Sequence, residues 1–201
     1  MRSADVPSAV VGRPARRRSA VRCDTRDCRG YTHRMTGPIE RLLKELSREG
    51  IRYMVVGGVA VVLHGYLRAT ADLDIFLDLE QANVDLALDF FEREGFQPRA
   101  PVSLRSFADA AQRRQWKDEK NMLVFSLWHP ALPGFEIDIF VDEPVPFSGG
   151  YERASEVLLD DVPIRVAAID DLIRMKQISG RARDAEDIAA LEELKKSNAR
   201  R

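Results

Sequence analysis

The run from Val55 to Asp78, VVGGVAVVLHGYLRATADLDIFLD, restricts the fold more than any other part of the chain. A β-branched apolar stretch ends at Gly57-Gly58, a helix-forming segment follows, and Asp72 to Asp78 then alternates acidic and apolar residues with a period of two. Asp72 and Asp74 stand at i and i+2 on that strand, so both project from one face. Such a pair repels itself, and burying it without a partner is costly. A divalent cation resolves the conflict, and Mg²⁺ is typically held by one or two carboxylates together with substrate phosphates. The double glycine precedes a helix whose first N–H groups lack intrahelical partners and suit an anion. A phosphate cradle beside a metal site predicts chemistry on a nucleotide. The run has neither the G-x-G-x-x-G of a Rossmann turn nor the Gly-Lys-Ser/Thr of a Walker A loop.

A third acidic position comes from Phe135 to Phe140, FEIDIF, where Glu136 and Asp138 share one strand face and Ile137 and Ile139 the other. If this strand lies beside the Asp72–Asp74 strand, Asp138 completes a triad. Three carboxylates can hold two Mg²⁺ ions about 3.5–4 Å apart, which suits in-line phosphoryl transfer. The third carboxylate is also a candidate proton acceptor.

The remaining pattern is that of an α/β domain. Pro38 opens a helix with Thr36 or Gly37 near its cap and Gly50 at its end. A strand is expected from Ile51 to Val56 and a helix from Val59 to Leu67. An amphipathic helix covers 81–94, with Gly95 as its stop. A short helix is expected from Ser106 to about Trp116, then strands over 122–127 and 135–141. Residues 144–150 read as a Pro/Gly loop. A hairpin follows between Leu158 and Val166, with Pro163 leaving its register open. Helices over 169–179 and 183–195 are parted by Gly180. The expected fold class is α/β, a mixed twisted sheet flanked by helices, with a helical C-terminal portion.

A length of 201 residues with 45% hydrophobic content suits one domain, at most with a small appendage. No uninterrupted apolar run reaches transmembrane length. The net charge of −1 hides an asymmetry: residues 1–34 hold nine Arg and three Asp, net +6, whereas residues 35–201 hold 22 Lys and Arg against 29 Asp and Glu, net −7. An acidic body disfavours broad, nonspecific nucleic-acid binding. Residues 1–34 read as a disordered Arg-rich tail without the apolar core of a secretory signal, and Met35 as the start of the body, a single domain over 35–198. Both cysteines, Cys23 and Cys28, fall in the tail, so no disulfide supports the body. With His33 they match no common zinc spacing.

Several residues have two readings from sequence. Arg68 is placed either to meet a phosphate or to neutralise Asp72. His64 reads better as a packed or capping histidine than as a catalytic one. Arg105, Arg113, Arg114, Lys117 and Lys120, interleaved with Phe107 and Trp116, read better as a solvated helix face than as a contact for an RNA end. Lys176 either flanks the apolar face of its helix or reaches a ligand, and Asp184 either complements a helix N-terminus or joins a site.

The order Gly57-Gly58-x-Ala60, His64-Gly65, Arg68-x-Thr70-x-Asp72-x-Asp74 and a later apolar-Asp138-apolar resembles the nucleotidyltransferase superfamily, with the fold of DNA polymerase beta. The stretches from Asp171 to Lys176 and from Gly180 to Asp187 are similar to the AbiEii-type branch, several members of which belong to toxin–antitoxin systems. The resemblance spans roughly residues 37–195. It implies that Asp72, Asp74 and Asp138 are catalytic residues and metal ligands, that Gly57 and Gly58 contact the triphosphate, and that Lys176 and Asp184 belong to the nucleotide side. Superfamily members often carry Ser or Thr after the double glycine, where this chain has Val59.

The implied activity is transfer of a nucleoside monophosphate from an NTP to a hydroxyl acceptor, with Mg²⁺ or Mn²⁺ as cofactor and release of pyrophosphate. The acceptor is a protein, a tRNA end or a small molecule, and sequence does not choose among them. The implied setting is the cytoplasm, with no membrane association and no extensive nucleic-acid surface. A small helical protein from the same operon is a candidate partner. The alternative is a weakly active or inactive binding module that keeps the fold and acts as antitoxin or regulatory partner.

Overall fold

A computed structural model describes residues 37–199. The expectations for the tail, for Met35 and Thr36, and for Cys23, Cys28 and His33 lie outside the described residues.

Pro38 pre-sets the first turn of α1 (Pro38–Arg48), which buries Leu42, Leu43 and Leu46 and ends before Gly50 at a φ of +75°. Strand β1 (Tyr53–Val55) is fully buried and leads through Val56 into α2 (Gly57–Leu63). Helix α2 starts two residues earlier and ends four earlier than its apolar pattern suggests. Gly65, at a φ of +108°, turns the chain away, and His64 becomes the C-cap. Strand β2 (Asp72–Leu77) returns antiparallel to β1. The amphipathic α3 (Gln81–Arg93) stops before Gly95, and β3 (Gln97–Pro98) is a two-residue edge strand.

The single short helix expected near Ser106 is instead a 3₁₀ turn (Leu104–Ala108) followed by α4 (Ala110–Lys120). Asp109 divides them by capping Ala111 N–H through its side chain. Strands β4 (Val124–Trp128) and β5 (Glu136–Phe140) occupy their expected places. The expected loop over 144–150 is partly helical: α5 spans Phe147–Arg153. Its glycines permit close approach, since a Cβ at Gly150 would meet Met54 Cε at 3.1 Å. The hairpin forms from β6 (Ser155–Leu159) and β7 (Val162–Val166), with Pro163 opposite Leu158. Helices α6 (Ile169–Ser179) and α7 (Asp184–Ala199) meet at Gly180, whose φ is +62°. No described helix is long and apolar enough to cross a membrane.

The seven strands form one mixed sheet in the order β3-β4-β5-β2-β1-β7-β6. Strands β2 and β5 run parallel, with Leu73 opposite Ile137 and Ile75 opposite Ile139. These four side chains are fully buried, as are Phe125 and Leu127 on β4. Trp116 of α4 stacks on Phe125 at 5.3 Å between centroids and closes that side of the sheet. The other face is divided. At one end Phe76 and Phe140 pack together, and Phe147 of α5 meets Phe76 at 5.3 Å. At the other end the same face turns acidic.

Candidate active site

The acidic end is built by strand register. Asp74 pairs with Asp138 across β2 and β5, and Asp72 pairs with Glu136. The period of two puts all four carboxylates on the face that carries Phe76 and Phe140 further along. The expected adjacency of the two acidic strands is therefore present. Asp72 is exposed, while Asp74 and Asp138 are half-buried.

Burial, then repulsion from Asp138 and Asp72, pushes the Asp74 carboxyl up to about 6, although the Gly58 N–H and the Arg181 charge oppose the rise. Burial likewise pushes Asp138 up, helped by Asp72 and Glu136 and opposed by Ser126 and Arg181. The Ser126 hydroxyl donates to Asp138 Oδ1 at 2.6 Å from the neighbouring β4. Glu136 is partly neutralised by Arg99, which also lies over the Trp128 ring.

Gly57 and Gly58 form the other wall. Gly57 has a φ of +60°, and a Cβ there would stand 1.9 Å from Asp74 Oδ2. Only glycine permits both that backbone and that approach. Val56 N–H also donates to Asp74 O at 3.0 Å, which ties the turn to β2. A Cβ at Gly58 would meet Thr70 Oγ1 at 2.6 Å and Arg68 Cζ at 3.2 Å. Val59 is fully buried beneath the turn. The position after the glycines therefore contributes packing, and its side chain offers no hydroxyl.

The residues of the C-terminal helices form a separate, buried ion network. Lys176 Nζ lies 2.6 Å from Asp187 Oδ2 and 3.4 Å from Asp184 Oδ1. Burial pushes the Asp184 carboxyl up, but hydrogen bonds from Ser179 and the Arg181 N–H, with Lys176, outweigh it and hold the group below the usual carboxylate range. Arg68 joins the network through a short contact with Asp187, so its carboxylate partner is Asp187 rather than Asp72. His64 is a packed capping residue whose Nε2 meets Ala167 O at 2.8 Å, and burial pulls its pKa down.

The basic cluster on the 3₁₀ turn and α4 is largely spent internally. Arg105 pairs with Asp89 and Glu92, Lys117 with Asp142, and buried Arg113 donates to Phe107 O and Ala108 O. Two cavities, of about 430 and 330 Å³, are lined by none of the paired carboxylates. Among the described residues, no three His, Cys, Asp or Glu side chains converge as a ready-made metal cage.

The sequence assigns no site role to Ser126, and Arg181 and Asp187 enter it only within the stretch from Gly180 to Asp187. Ser126 has no local signal, because only the β4–β5 register brings it to Asp138. Arg181 stands in the α6–α7 turn, far along the chain from both Asp74 and Asp138, whose rise in pKa it opposes. Asp187 did carry a signal: it lies three residues after Asp184, on one helix face.

A family model described as "Nucleotidyltransferase of unknown function (DUF6036)" matches residues 35–198. No curated protein matches the chain. Among solved structures, the chain is similar to the lincomycin-bound lincosamide antibiotic adenylyltransferase LnuA, with a TM-score of 0.51 and 18% identity over 79% of this chain and 98% of that one. It is also similar to an antigenic nucleotidyltransferase-like protein from Paracoccidioides brasiliensis, with a TM-score of 0.52 and 16% identity over 78% of this chain and 74% of that one. At these identities the likeness is one of fold.

Proposed function

The chain belongs to this family of nucleotidyltransferases, and from that premise we propose that it transfers a nucleoside monophosphate from an NTP to a hydroxyl acceptor and releases pyrophosphate. The observation that carries the proposal is the pairing of Asp74 with Asp138 directly beneath a glycine turn that no side chain could replace. Asp72, Asp74 and Asp138 offer only oxygen donors, and their mutual repulsion is the kind a cation relieves, so the set fits a hard divalent ion such as Mg²⁺ or Mn²⁺. When bound, such an ion supplies charge neutralisation at the phosphates and the leaving pyrophosphate.

The protein's own groups divide the remaining work. Gly57 and Gly58 keep the turn bare, so that a triphosphate can approach the backbone closely. Arg68 lies against Gly58 and supplies positive charge there. Asp138, raised by burial and held by Ser126, is the group assigned to take the proton of the acceptor hydroxyl. Lys176 and Asp184 act on the nucleotide side through the ion network that holds the C-terminal helices against the turn. The acceptor is a protein, a tRNA end or a small molecule, in the cytoplasm, and a partner protein in a toxin–antitoxin pair of the AbiEii type belongs to the same proposal.

The test is incubation with each labelled NTP, Mg²⁺ or Mn²⁺ and cell lysate, with label then traced to protein, RNA or small molecules. Wild type transfers label and the Asp72→Ala, Asp74→Ala double variant does not. The second reading, a nucleotide-binding regulatory module, draws on buried Val59 and the hydroxyl it lacks. Metal-dependent nucleotide binding without transfer of any label would select that reading.

A further inference from the structure

Two cations converge on one buried carboxylate beside the glycine turn. Arg68 Nη1 and Lys176 Nζ both donate to Oδ2 of Asp187, Lys176 at 2.6 Å, and the Asp187 side chain is only 4% exposed. Lys176 is itself steadied by Asp184 at 3.4 Å. Arg68 sits in the irregular segment between Gly65 and β2, so nothing in the local backbone fixes its long side chain. Its guanidinium nevertheless lies against Gly58, and the adjacent Gly57 packs directly on the Asp74 carboxylate. A chain of contacts thus runs from α7 through Arg68 to the turn and on to the paired carboxylates.

We propose that Asp187 is a positioning residue that holds the Arg68 guanidinium over the Gly58 turn as a preorganised support for the triphosphate of an NTP. The inference rests on the nucleotidyltransferase reading above. Donor geometry favours it. A guanidinium carries five N–H donors in a rigid fork. Arg68 spends Nη1 on Asp187 and points Nε at Ala69 O at a long 3.4 Å, while Nη2 has no hydrogen-bond partner among the described residues. The fork can therefore hold Asp187 with one arm and an anion with the other. Lys176, committed to two carboxylates, fixes Asp187 and acts on the ligand only through it. Without the Asp187 charge, Arg68 loses its one ion-pair partner among the described residues, and the orientation of its free arm becomes an entropic cost that each binding event must meet.

The probe is inorganic tripolyphosphate in EDTA, read by calorimetry on the full chain, because it reports the cationic side without a metal. Wild type binds it, and Asp187→Asn raises its Kd about tenfold or more, as expected for a lost charge-assisted contact. Arg68→Gln gives a similar loss, and the double variant adds little to either, since both cut one chain of contacts. Leu191→Ala, a cavity in the buried face of α7, lowers Tm but leaves the Kd unchanged. A Kd for Asp187→Asn within twofold of wild type overturns the proposal, as does an equal weakening in Leu191→Ala. Should Asp187→Asn fail to fold, Arg68→Lys replaces it: the charge stays, the fork is gone, and wild-type affinity then overturns the proposal. Wild type that binds neither tripolyphosphate nor any NTP with Mg²⁺ refutes the nucleotidyltransferase reading itself. Wild-type binding that Asp187→Asn leaves intact refutes only the role of Asp187.

Discussion

Gly57→Ala tests the geometry on which the active-site reading depends. An alanine at that position meets two separate penalties. Its backbone must hold a φ of +60°, which costs an L-residue about 1–2 kcal/mol. Its Cβ would stand 1.9 Å from Asp74 Oδ2 and 2.4 Å from Asp74 Cγ, and such overpacking costs a further ~1–3 kcal/mol. Gly50 supplies the control: its φ is +75°, and a Cβ there meets nothing within 4 Å. Gly50→Ala therefore carries the strain without the clash, and the gain from a stiffer unfolded chain is common to both variants. The difference between them isolates the contact with Asp74 at about 1–3 kcal/mol, roughly 3–10 °C in Tm for a domain of this size. Urea unfolding in EDTA measures it. Activity should separate the pair further, because Asp74 must move to admit the methyl group, and a displacement of about 1 Å at a reacting centre costs on the order of 100-fold. Equal destabilisation by the two variants, with equal transfer rates, would refute the close packing of the turn on Asp74.

Asp74→Asn should stabilise the metal-free protein while abolishing transfer. The folded carboxyl titrates near 6, above the unfolded value of 3.8, so the folded state binds the extra proton between these values and stability falls as pH rises through that window. The loss is on the order of 2–3 kcal/mol by linkage. Unfolding in EDTA at pH 4 and pH 7 should show it in wild type and not in Asp74→Asn. Ser126→Ala should lower the transfer rate and raise the apparent pKa of its pH profile, since the hydroxyl that holds Asp138 down is lost. An unchanged profile would count against Asp138 as the proton acceptor. Burial pulls the His64 pKa down, so the unfolded state binds more protons as pH falls through the imidazole range. Stability therefore drops there, and His64→Phe should flatten that drop without altering transfer at pH 8. Lys117→Ala should change stability by no more than about 0.5 kcal/mol, because its pairing with Asp142 is exposed.

Local chemistry made much of the molecule legible. Gly50, Gly95 and Gly180 end their helices as expected, because each stands where a left-handed backbone stops a helix. The alternation in 72–77 and 136–140 fixed which residues share a face, and that periodicity is intrinsic to a strand. Where the structure departs from the sequence pattern, a local competitor is at work. Asp109 capped α4 and split one expected helix into two, and the glycines of α5 allowed a helix to press on Met54 where Pro and Gly had suggested a loop.

The sequence by itself determined that Asp72 and Asp74 form a pair, that a bare glycine turn precedes them, and that Asp138 lies on a strand of the same character. It could not determine that Asp138 stands opposite Asp74, that Ser126 supports it, or that Arg68 answers to Asp187 and not to Asp72. Those are consequences of register, between β2 and β5 far apart in the chain and between β4 and β5 close together, and of helices folded back over more than 100 residues. Strand periodicity is written into each segment, whereas the partner a charge meets is decided by packing, which disfavours a one-residue slip because that would turn the apolar face of β2 and β5 toward water.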